Sequence, residues 1–234
     1  MWADSRAAGP PPPATEWRQF FPSTEDSRWV YRFTNHQSDS HSRITIRARR
    51  GQQVGDLKMT DPHVFEETRE EERSPIVYFQ DEHGYLTQFL DANYGPSDTL
   101  QLPPHVNDAV QILPPHLAPG VEWTQRAVLV GRVRWQHKVA ATESVSVPAG
   151  VFADAYRIEA TVEPEDAGDI TTMMNKYGMF GYRYTDWYAR DVGLVKSTTR
   201  GLVNDGLVVS QELESYTLTP AFCETPRTPH DLVH

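Results

Sequence analysis

The sequence predicts an all-β protein, built as a curved antiparallel sheet or half-barrel of about 10–11 strands with one short helix. Three observations support this fold class. Apolar and polar residues alternate along most of the chain, turns containing glycine or proline recur at regular intervals, and no long amphipathic helix is evident. With 234 residues, one domain can bury a full hydrophobic core.

Alternation is clearest in the first two predicted strands. Trp29 to Phe33 carries an aromatic residue at every second position, and Ile44 to Ala48 places its apolar residues on one face. The later strands show similar patterns between turn signals, such as the glycine at position 150. We predict these strands at residues 64–71, 76–80, 85–90, 99–102, 123–130, 133–147, 152–162, 182–189, 194–199 and 207–218.

Helical signals concentrate in one segment. Glu165 to Tyr177 has aspartates near its start and Gly178 just beyond its end, which favours a short helix covering one open face of the sheet. The segment from Asn107 to Leu113 could hold one further helical turn.

Proline-rich segments flank the predicted β domain, which spans residues 16–219. Residues 1–15 form an N-terminal linker in which Pro10 to Pro13 make a stiff extended spacer, and residues 220–234 form a flexible tail. We expect such a spacer downstream of a signal peptide or lipid-anchor segment that has been removed. A frayed N-terminus of a cytosolic protein is the alternative.

Composition argues against several classes of function. The formal net charge is −10, which opposes nucleic acid binding because that binding requires Lys and Arg to neutralise phosphates. No apolar run approaches the roughly 20 residues that a membrane span needs. The only cysteine is Cys223, so an intramolecular disulfide is impossible. Scarce cysteine suits a cytosolic protein and also a small exported bacterial protein.

No motif predicts a catalytic group, a metal site or a cofactor. The nine histidines include no metal-binding pattern. His36 and His41 flank a predicted hairpin turn, and we interpret them as exposed polar residues. His137 has polar and charged neighbours, which indicates a surface position on a strand. The acidic run at 66–72 is typical of an edge strand protected by charge. The prediction therefore leans away from an enzyme.

Four segments together resemble a known group of proteins. They are Phe21-Pro22 with Trp29-Val30-Tyr31; Leu113-Pro114-Pro115 with Pro119 to Trp123; Val147-Pro148-Ala149-Gly150-Val151-Phe152; and Trp187-Tyr188-Ala189 with Val192 to Lys196. Their order is similar to that in a family of bacterial exported proteins and lipoproteins of unassigned function. That family resembles the half-barrel lipoprotein carriers of the LolA/LolB type. One departure is Glu25-Asp26-Ser27, where the family usually has a glycine before the Trp.

The resemblance implies a curved sheet around a lipid-sized cavity, and the aromatic residues are the candidates for its lining. Tryptophan and tyrosine recur along the strands, and methionines beside aromatic rings suit an adaptable apolar cavity. The alternative is that these residues simply fill the core. The predicted lining consists of Trp29, Tyr31, Phe33, Trp123, Met173, Phe180 and Trp187.

The leading hypothesis is a non-enzymatic exported protein, periplasmic, extracellular or lipid-anchored, with a cytoplasmic location left open. It would bind an apolar small molecule or lipid, or an envelope protein partner, on its concave face. One alternative is a small-molecule enzyme that uses the same cavity; another is a structural subunit of a cell-envelope assembly. An apolar cavity favours the binder, a perturbed carboxylate or histidine in it favours the enzyme, and a solid core with an outer apolar patch favours the subunit.

Overall fold

The structure is a computed structural model that describes residues 16–49, 60–89, 92–95, 100–102, 109–129, 131–166, 168, 181–202 and 205–220. These residues confirm the predicted all-β class. The predicted linker at 1–15, residues 221–234 of the predicted tail, and residues 167 and 169–177 of the predicted helix lie outside the described residues.

The described residues form fourteen strands, and twelve of them belong to one sheet. The strands are β1 (Arg28–Asn35), β2 (Ser40–Arg49), β3 (Thr60–Arg69), β4 (Glu72–Gln80), β5 (Leu86–Phe89), β6 (Asn93–Tyr94), β7 (Leu100–Gln101), β8 (Ala109–Leu113), β9 (Glu122–Leu129), β10 (Gly131–Val147), β11 (Gly150–Pro164), β12 (Tyr182–Ala189), β13 (Gly193–Gly201) and β14 (Leu207–Thr217). Strand β8 replaces the helical turn predicted near Asn107 to Leu113, because its backbone pairs with β5.

The large sheet consists of two six-stranded halves. Its order is β8-β5-β4-β3-β2-β1-β14-β13-β12-β11-β10-β9, and neighbouring strands are antiparallel. The first half is β1–β5 with β8, and the second half is β9–β14. The first and last strands of the chain therefore pair in the middle of the sheet. This pairing joins residues nearly two hundred positions apart, such as Trp29 and Tyr216.

The sheet curls until its edge strands β8 and β9 meet, which makes it nearly a barrel. Side chains rather than a backbone ladder connect these two edges. The Gln111 N–H donates to Gln125 Oε1 at 2.8 Å, and Trp123 Nε1 donates to the Gln111 carbonyl oxygen at 3.4 Å. Side chains of β9 therefore satisfy backbone groups at the β8 edge, and these bonds hold the two edges together without a continuous sheet.

A short 3₁₀-helix at Glu16–Phe20 plugs the interior of the barrel. Side chains three residues apart share one face of such a helix, so Trp17 and Phe20 both point inward and are 0% and 1% exposed. Trp17 Nε1 donates to the Gly84 carbonyl oxygen at 3.1 Å. Phe21 follows and meets the Tyr78 ring edge-on, with ring centroids 4.6 Å apart. The plug therefore takes up part of the space that the prediction assigned to a lipid-sized cavity.

The acidic run at 66–72 does not lie on an edge strand, which corrects the prediction. It occupies β3, β4 and the turn between them, where Glu70 and Glu71 have positive φ angles. Glu66 is buried on the outer face and pairs with Arg49 and Arg73. Burial alone would raise the pKa of Glu66, but its bonds to the two arginines outweigh this and hold the pKa below its usual value.

The hairpin of β10 and β11 is the longest in the fold and bends at two bulges, after Val139 and Glu143. Its tip reaches β14, where the Ala149 N–H donates to the Leu213 carbonyl oxygen at 2.9 Å. Gly150 turns the chain with a φ of 137°, as its position after proline and alanine predicted.

None of the helices in the described part of the chain has the length and apolar character of a membrane span.

Candidate ligand site inside the barrel

A small cavity lies on the inner face beside the plug, and we call it the tyrosine cavity. Its volume is about 70 Å³, which holds a few water molecules or a small apolar fragment. Pockets for drug-sized ligands are larger, at roughly 300–1,000 Å³. The lining consists of Phe21, Pro22, Trp29, Tyr31, Ile46, Phe65, Tyr78, Tyr188, Val192, Gly193 and Leu194.

Two polar groups at the tyrosine cavity are satisfied by the protein itself. Trp29 Nε1 donates to the Val192 carbonyl oxygen at 2.7 Å, and the Tyr31 hydroxyl donates to the Leu194 carbonyl oxygen at 2.8 Å. Both acceptors lie at the β12–β13 turn. Burial raises the pKa of Tyr31, Tyr78 and Tyr188, so these phenols are neutral at physiological pH. The cavity therefore offers a ligand mainly apolar ring surface, with the neutral Tyr78 and Tyr188 hydroxyls as its polar groups.

Asp186 lies on the same face of β12 as Tyr188 and is half-buried. The Ser197 hydroxyl donates to its Oδ1 at 2.5 Å. Burial raises the pKa of Asp186 to about 6. The carboxylate is close enough to Tyr78 and Tyr188 to contribute to their raised pKa values. The interior of the barrel thus contains one carboxyl group that titrates near neutral pH.

A second group of rings runs across β9, β10 and β12, and we call it the ring stack: Trp123, His137, Trp135 and Tyr184. The His137 ring is parallel to that of Trp123 within 5°, with centroids 4.6 Å apart. Trp135 stacks on His137 at 5.6 Å and on Tyr184 at 5.5 Å. Strand β11 separates β10 from β12, but its residue at this position is Ala160, which pairs with both His137 and Tyr184. The small side chain lets the rings meet above it.

Three buried polar atoms beside the ring stack have no hydrogen-bond partner among the described residues: Gln125 Nε2, Trp135 Nε1 and His137 Nε2. Gln125 is the cross-strand neighbour of Trp135, and His137 follows two residues later on the same face. Because Gln125 Oε1 already accepts the Gln111 N–H, its amide nitrogen is left as a donor without an acceptor. Such atoms are uncommon in native proteins and call for an explanation, such as bound water or a ligand.

The position of His137 corrects the prediction that it lies on the surface. Its side chain is 6% exposed and is enclosed by two tryptophan rings. Burial lowers the pKa of His137 to about 4, so the ring is neutral at physiological pH. The sequence did contain a signal for this position. Val133, Trp135, His137 and Val139 alternate with polar residues, which places the histidine in phase with the core.

The residues predicted to line the cavity are dispersed. Trp29 and Tyr31 line the tyrosine cavity, and Trp123 belongs to the ring stack. Phe33 lies farther along the face of Trp29, beneath the Arg69 guanidinium, whose carbon is 4.3 Å from the ring centroid. Trp187 alternates with the buried Tyr188, so it lies on the outer face, where Nε1 donates to Glu143 Oε1 at 2.8 Å. Met173 and Phe180 lie outside the described residues.

The two histidines of the first hairpin turn bond to different neighbours. His36 Nε2 lies 2.9 Å from Ser210 Oγ, and His41 Nδ1 lies 3.1 Å from Thr34 Oγ1. Among the residues that the structure describes, no group of three or more His, Cys, Asp or Glu side chains is arranged to hold a metal ion.

Comparison with known proteins links part of the chain to a family. The family model described as DUF3108-like matches residues 132–208. This segment runs from β10 to the start of β14 and includes Trp135, His137 and Asp186. No curated protein matches the chain.

Two solved structures are similar in shape. One is a candidate lipoprotein from Parabacteroides distasonis, with 16% identity and a TM-score of 0.48. The other is a candidate exported protein with a YmcC-like fold from Bacteroides fragilis, with 13% identity and a TM-score of 0.46. Each match covers 85% of this chain and 98% of the other chain. The finer resemblance to carriers of the LolA/LolB type stays a prediction.

Proposed function

We propose that this protein is a non-enzymatic binding protein that holds a small, mainly apolar ligand inside its barrel. The observation that carries the proposal is an interior lined with aromatic rings and incompletely filled. The tyrosine cavity is open, and Phe33, Trp135 and Tyr184 on the inner face are only half-buried. Apolar rings that keep accessible surface inside a barrel gain free energy when a ligand covers them.

Native mass spectrometry of the protein purified from its own host tests this proposal. We expect a fraction of molecules heavier than the 26.6 kDa chain by the mass of one small molecule, a few hundred daltons at most. That added mass should disappear on denaturation. Recovery of the chain alone under gentle conditions would contradict the proposal, and a mass increase of several kilodaltons would favour a protein partner instead.

A substitution can locate the ligand once it is identified. Ile46 lines the tyrosine cavity, and Ile46→Phe should narrow it and weaken binding. The matched control is Val30→Phe, since Val30 alternates with Trp29 and Tyr31 on the neighbouring strand and lies on the opposite face. Equal weakening by both variants would place the ligand outside the barrel.

One observation favours an enzyme as the second candidate function. Asp186 lies in the interior with a pKa of about 6, which suits a general acid or base at neutral pH. Under this alternative, a screen of small-molecule substrates should reveal turnover that Asp186→Asn abolishes while binding persists. The binding proposal predicts instead that every bound compound is recovered chemically unchanged.

We also propose that the protein is exported and either free or lipid-anchored in the cell envelope. The support is the order of its four sequence motifs and the proline-rich spacer at residues 10–13. Fractionation of the host, followed by mass determination of the mature N-terminus, tests this location. A processed or lipid-modified N-terminus in the envelope fraction is expected, whereas unprocessed protein in the cytosol would contradict it.

A further inference from the structure

We propose that the ring stack recognises the polar end of the ligand, and that this end carries a carbonyl-type oxygen acceptor such as an amide, ester or carboxyl group. This inference rests on the proposed function and adds the chemical class of the ligand.

The first argument is the chemistry of the unpartnered atoms. Gln125 Nε2 and Trp135 Nε1 can only donate hydrogen bonds. Both are buried and without a partner in the part of the chain that the structure describes. Leaving such donors unpaired costs free energy, which an acceptor on a ligand would recover. A ligand head that only donates, such as an ammonium group, would find no acceptor in these two atoms.

The second argument is that the protein fixes the direction of these donors. The Gln125 side chain cannot turn its oxygen inward without losing the 2.8 Å bond from the Gln111 N–H. The Trp135 indole is held between His137 and Tyr184. His137, 6% exposed, contributes the third unpartnered atom, Nε2. The donors are therefore preorganised, which lowers the entropic cost of binding.

The third argument concerns the body of the ligand. The four rings of the ring stack lie nearly parallel, with interplanar angles of 5°, 10° and 18°. Trp135 and Tyr184 remain half-buried, so part of their surface stays accessible. A flat apolar group beside the acceptor would cover this surface. Flat groups gain stacking energy on aromatic side chains beyond the area that they bury.

A matched series of probes tests the inference: 2-naphthamide, 2-naphthoate, 2-naphthylmethylamine and 2-methylnaphthalene. All four share one flat body and differ in the head group. We expect the amide or the carboxylate to bind about tenfold more tightly than the amine and the hydrocarbon, as measured by calorimetry or tryptophan fluorescence. Equal affinities would overturn the inference. Water held at the three atoms is the competing explanation, and it predicts no preference among head groups.

Substitution of one donor gives a second readout. Trp135→Phe keeps an aromatic ring and removes the N–H, so the amide and the carboxylate should lose more affinity than 2-methylnaphthalene and the preference should shrink. Trp187→Phe is the control, because Trp187 bonds to Glu143 on the outer face; it should change neither affinity.

The two proposals fail in different ways. If Trp135→Phe weakens all four probes equally, the ring stack supplies only apolar surface; the inference falls and the proposed function stands. If no probe binds at all, the inference also falls. The proposed function is then judged by whether native mass spectrometry finds a small molecule on the protein from its host.

Discussion

The tyrosine cavity and the ring stack lie on the same inner face and have similar aromatic composition, yet their polar atoms differ. In the tyrosine cavity, Trp29 and Tyr31 donate to backbone carbonyls at the β12–β13 turn. In the ring stack, Trp135 and His137 each keep a buried atom without a partner among the described residues, as does Gln125 beside it. The Trp29 and Tyr31 donors of the tyrosine cavity are therefore occupied, whereas the ring stack keeps donors that can recognise the chemistry of a ligand.

The two regions also contain buried titratable groups whose pKa values shift in opposite directions. His137 in the ring stack has its pKa lowered to about 4, and Asp186 near the tyrosine cavity has its pKa raised to about 6. Burial disfavours the charged form in both cases. Acid should therefore weaken the fold through the ring stack, whereas raising the pH from about 4 to above 6 should weaken it through Asp186.

The largest expected effect comes from His137. Its pKa is about 4 when folded and about 6.5 when unfolded. Below pH 6.5 the unfolded chain therefore takes up a proton that the folded chain does not, and stability falls as the pH drops towards 4. His137→Phe should remove about 3 kcal/mol of this loss. Chemical denaturation at pH 7 and pH 4 measures it.

The control for this prediction is His41→Gln, at an exposed position of the first hairpin. It should lose as much stability in acid as the natural protein does. If His137→Phe also behaves like the natural protein, the histidine is not held neutral inside the ring stack.

The same substitution in both regions should have unequal effects. Trp29→Phe removes the donor to the Val192 carbonyl oxygen and leaves that oxygen unpaired, so it should cost about 2 kcal/mol. Trp135→Phe removes a donor that has no partner among the described residues, so it should cost less than about 1 kcal/mol. Urea unfolding at pH 7 measures both. Equal costs would remove the distinction between the two regions.

Asp186→Asn should remove the loss of stability that accompanies ionisation of this carboxyl group. The folded pKa of about 6 lies above the ordinary value of 3.8, so the folded state binds the proton more tightly and loses stability as the pH rises from about 4 through 6. With allowance for solvent access to the half-buried carboxyl group, the loss from pH 4 to pH 8 is about 2 kcal/mol. The variant should lack it.

Asp154→Asn, at an exposed position on β11, is the matched control for Asp186→Asn. Its stability should change with pH as that of the natural protein does. An unchanged pH dependence in Asp186→Asn would show that the carboxyl group is solvated.

The smallest expected effect comes from filling the tyrosine cavity. Val192→Ile adds one methyl group at a lining position and should stabilise the fold by about 0.5 kcal/mol. Val151→Ile makes the same change at the hairpin tip, where the side chain is 70% exposed, and should have no effect. Destabilisation by Val192→Ile would indicate that the cavity is too small for an added methyl group.

Local sequence patterns predicted the strands but not the site. Alternation with a period of two revealed β1 and β2, and the glycine at 150 predicted a turn, because both signals act over a few residues. The pairing of β1 with β14 depends on contacts between distant parts of the chain, so no local pattern reveals it. Without that pairing, the sequence could not show which of Trp187 and Tyr188 faces inward.

The site residues were missed for a related reason. The polar neighbours of His137 predict a surface position, although its alternation with Trp135 and Val139 indicates the inner face. Gln125 and Ala160 matter only because the register aligns them with Trp135 and with the rings of β10 and β12. The plug at Glu16–Phe20 lacks a strand pattern and fills part of the space that the sequence predicts to be a cavity.

The most direct test of the central claim is a titration of the protein, labelled with ¹⁵N at its six tryptophan indoles, with 2-naphthamide. Trp135 Nε1–H should gain an acceptor, so its NMR signal should move downfield in proportion to occupancy. Trp29 Nε1–H already donates to the Val192 carbonyl oxygen and gains no new acceptor, so its signal should move less than that of Trp135. A titration that moves the Trp29 signal and leaves the Trp135 signal unchanged would contradict the claim that the ring stack recognises the ligand.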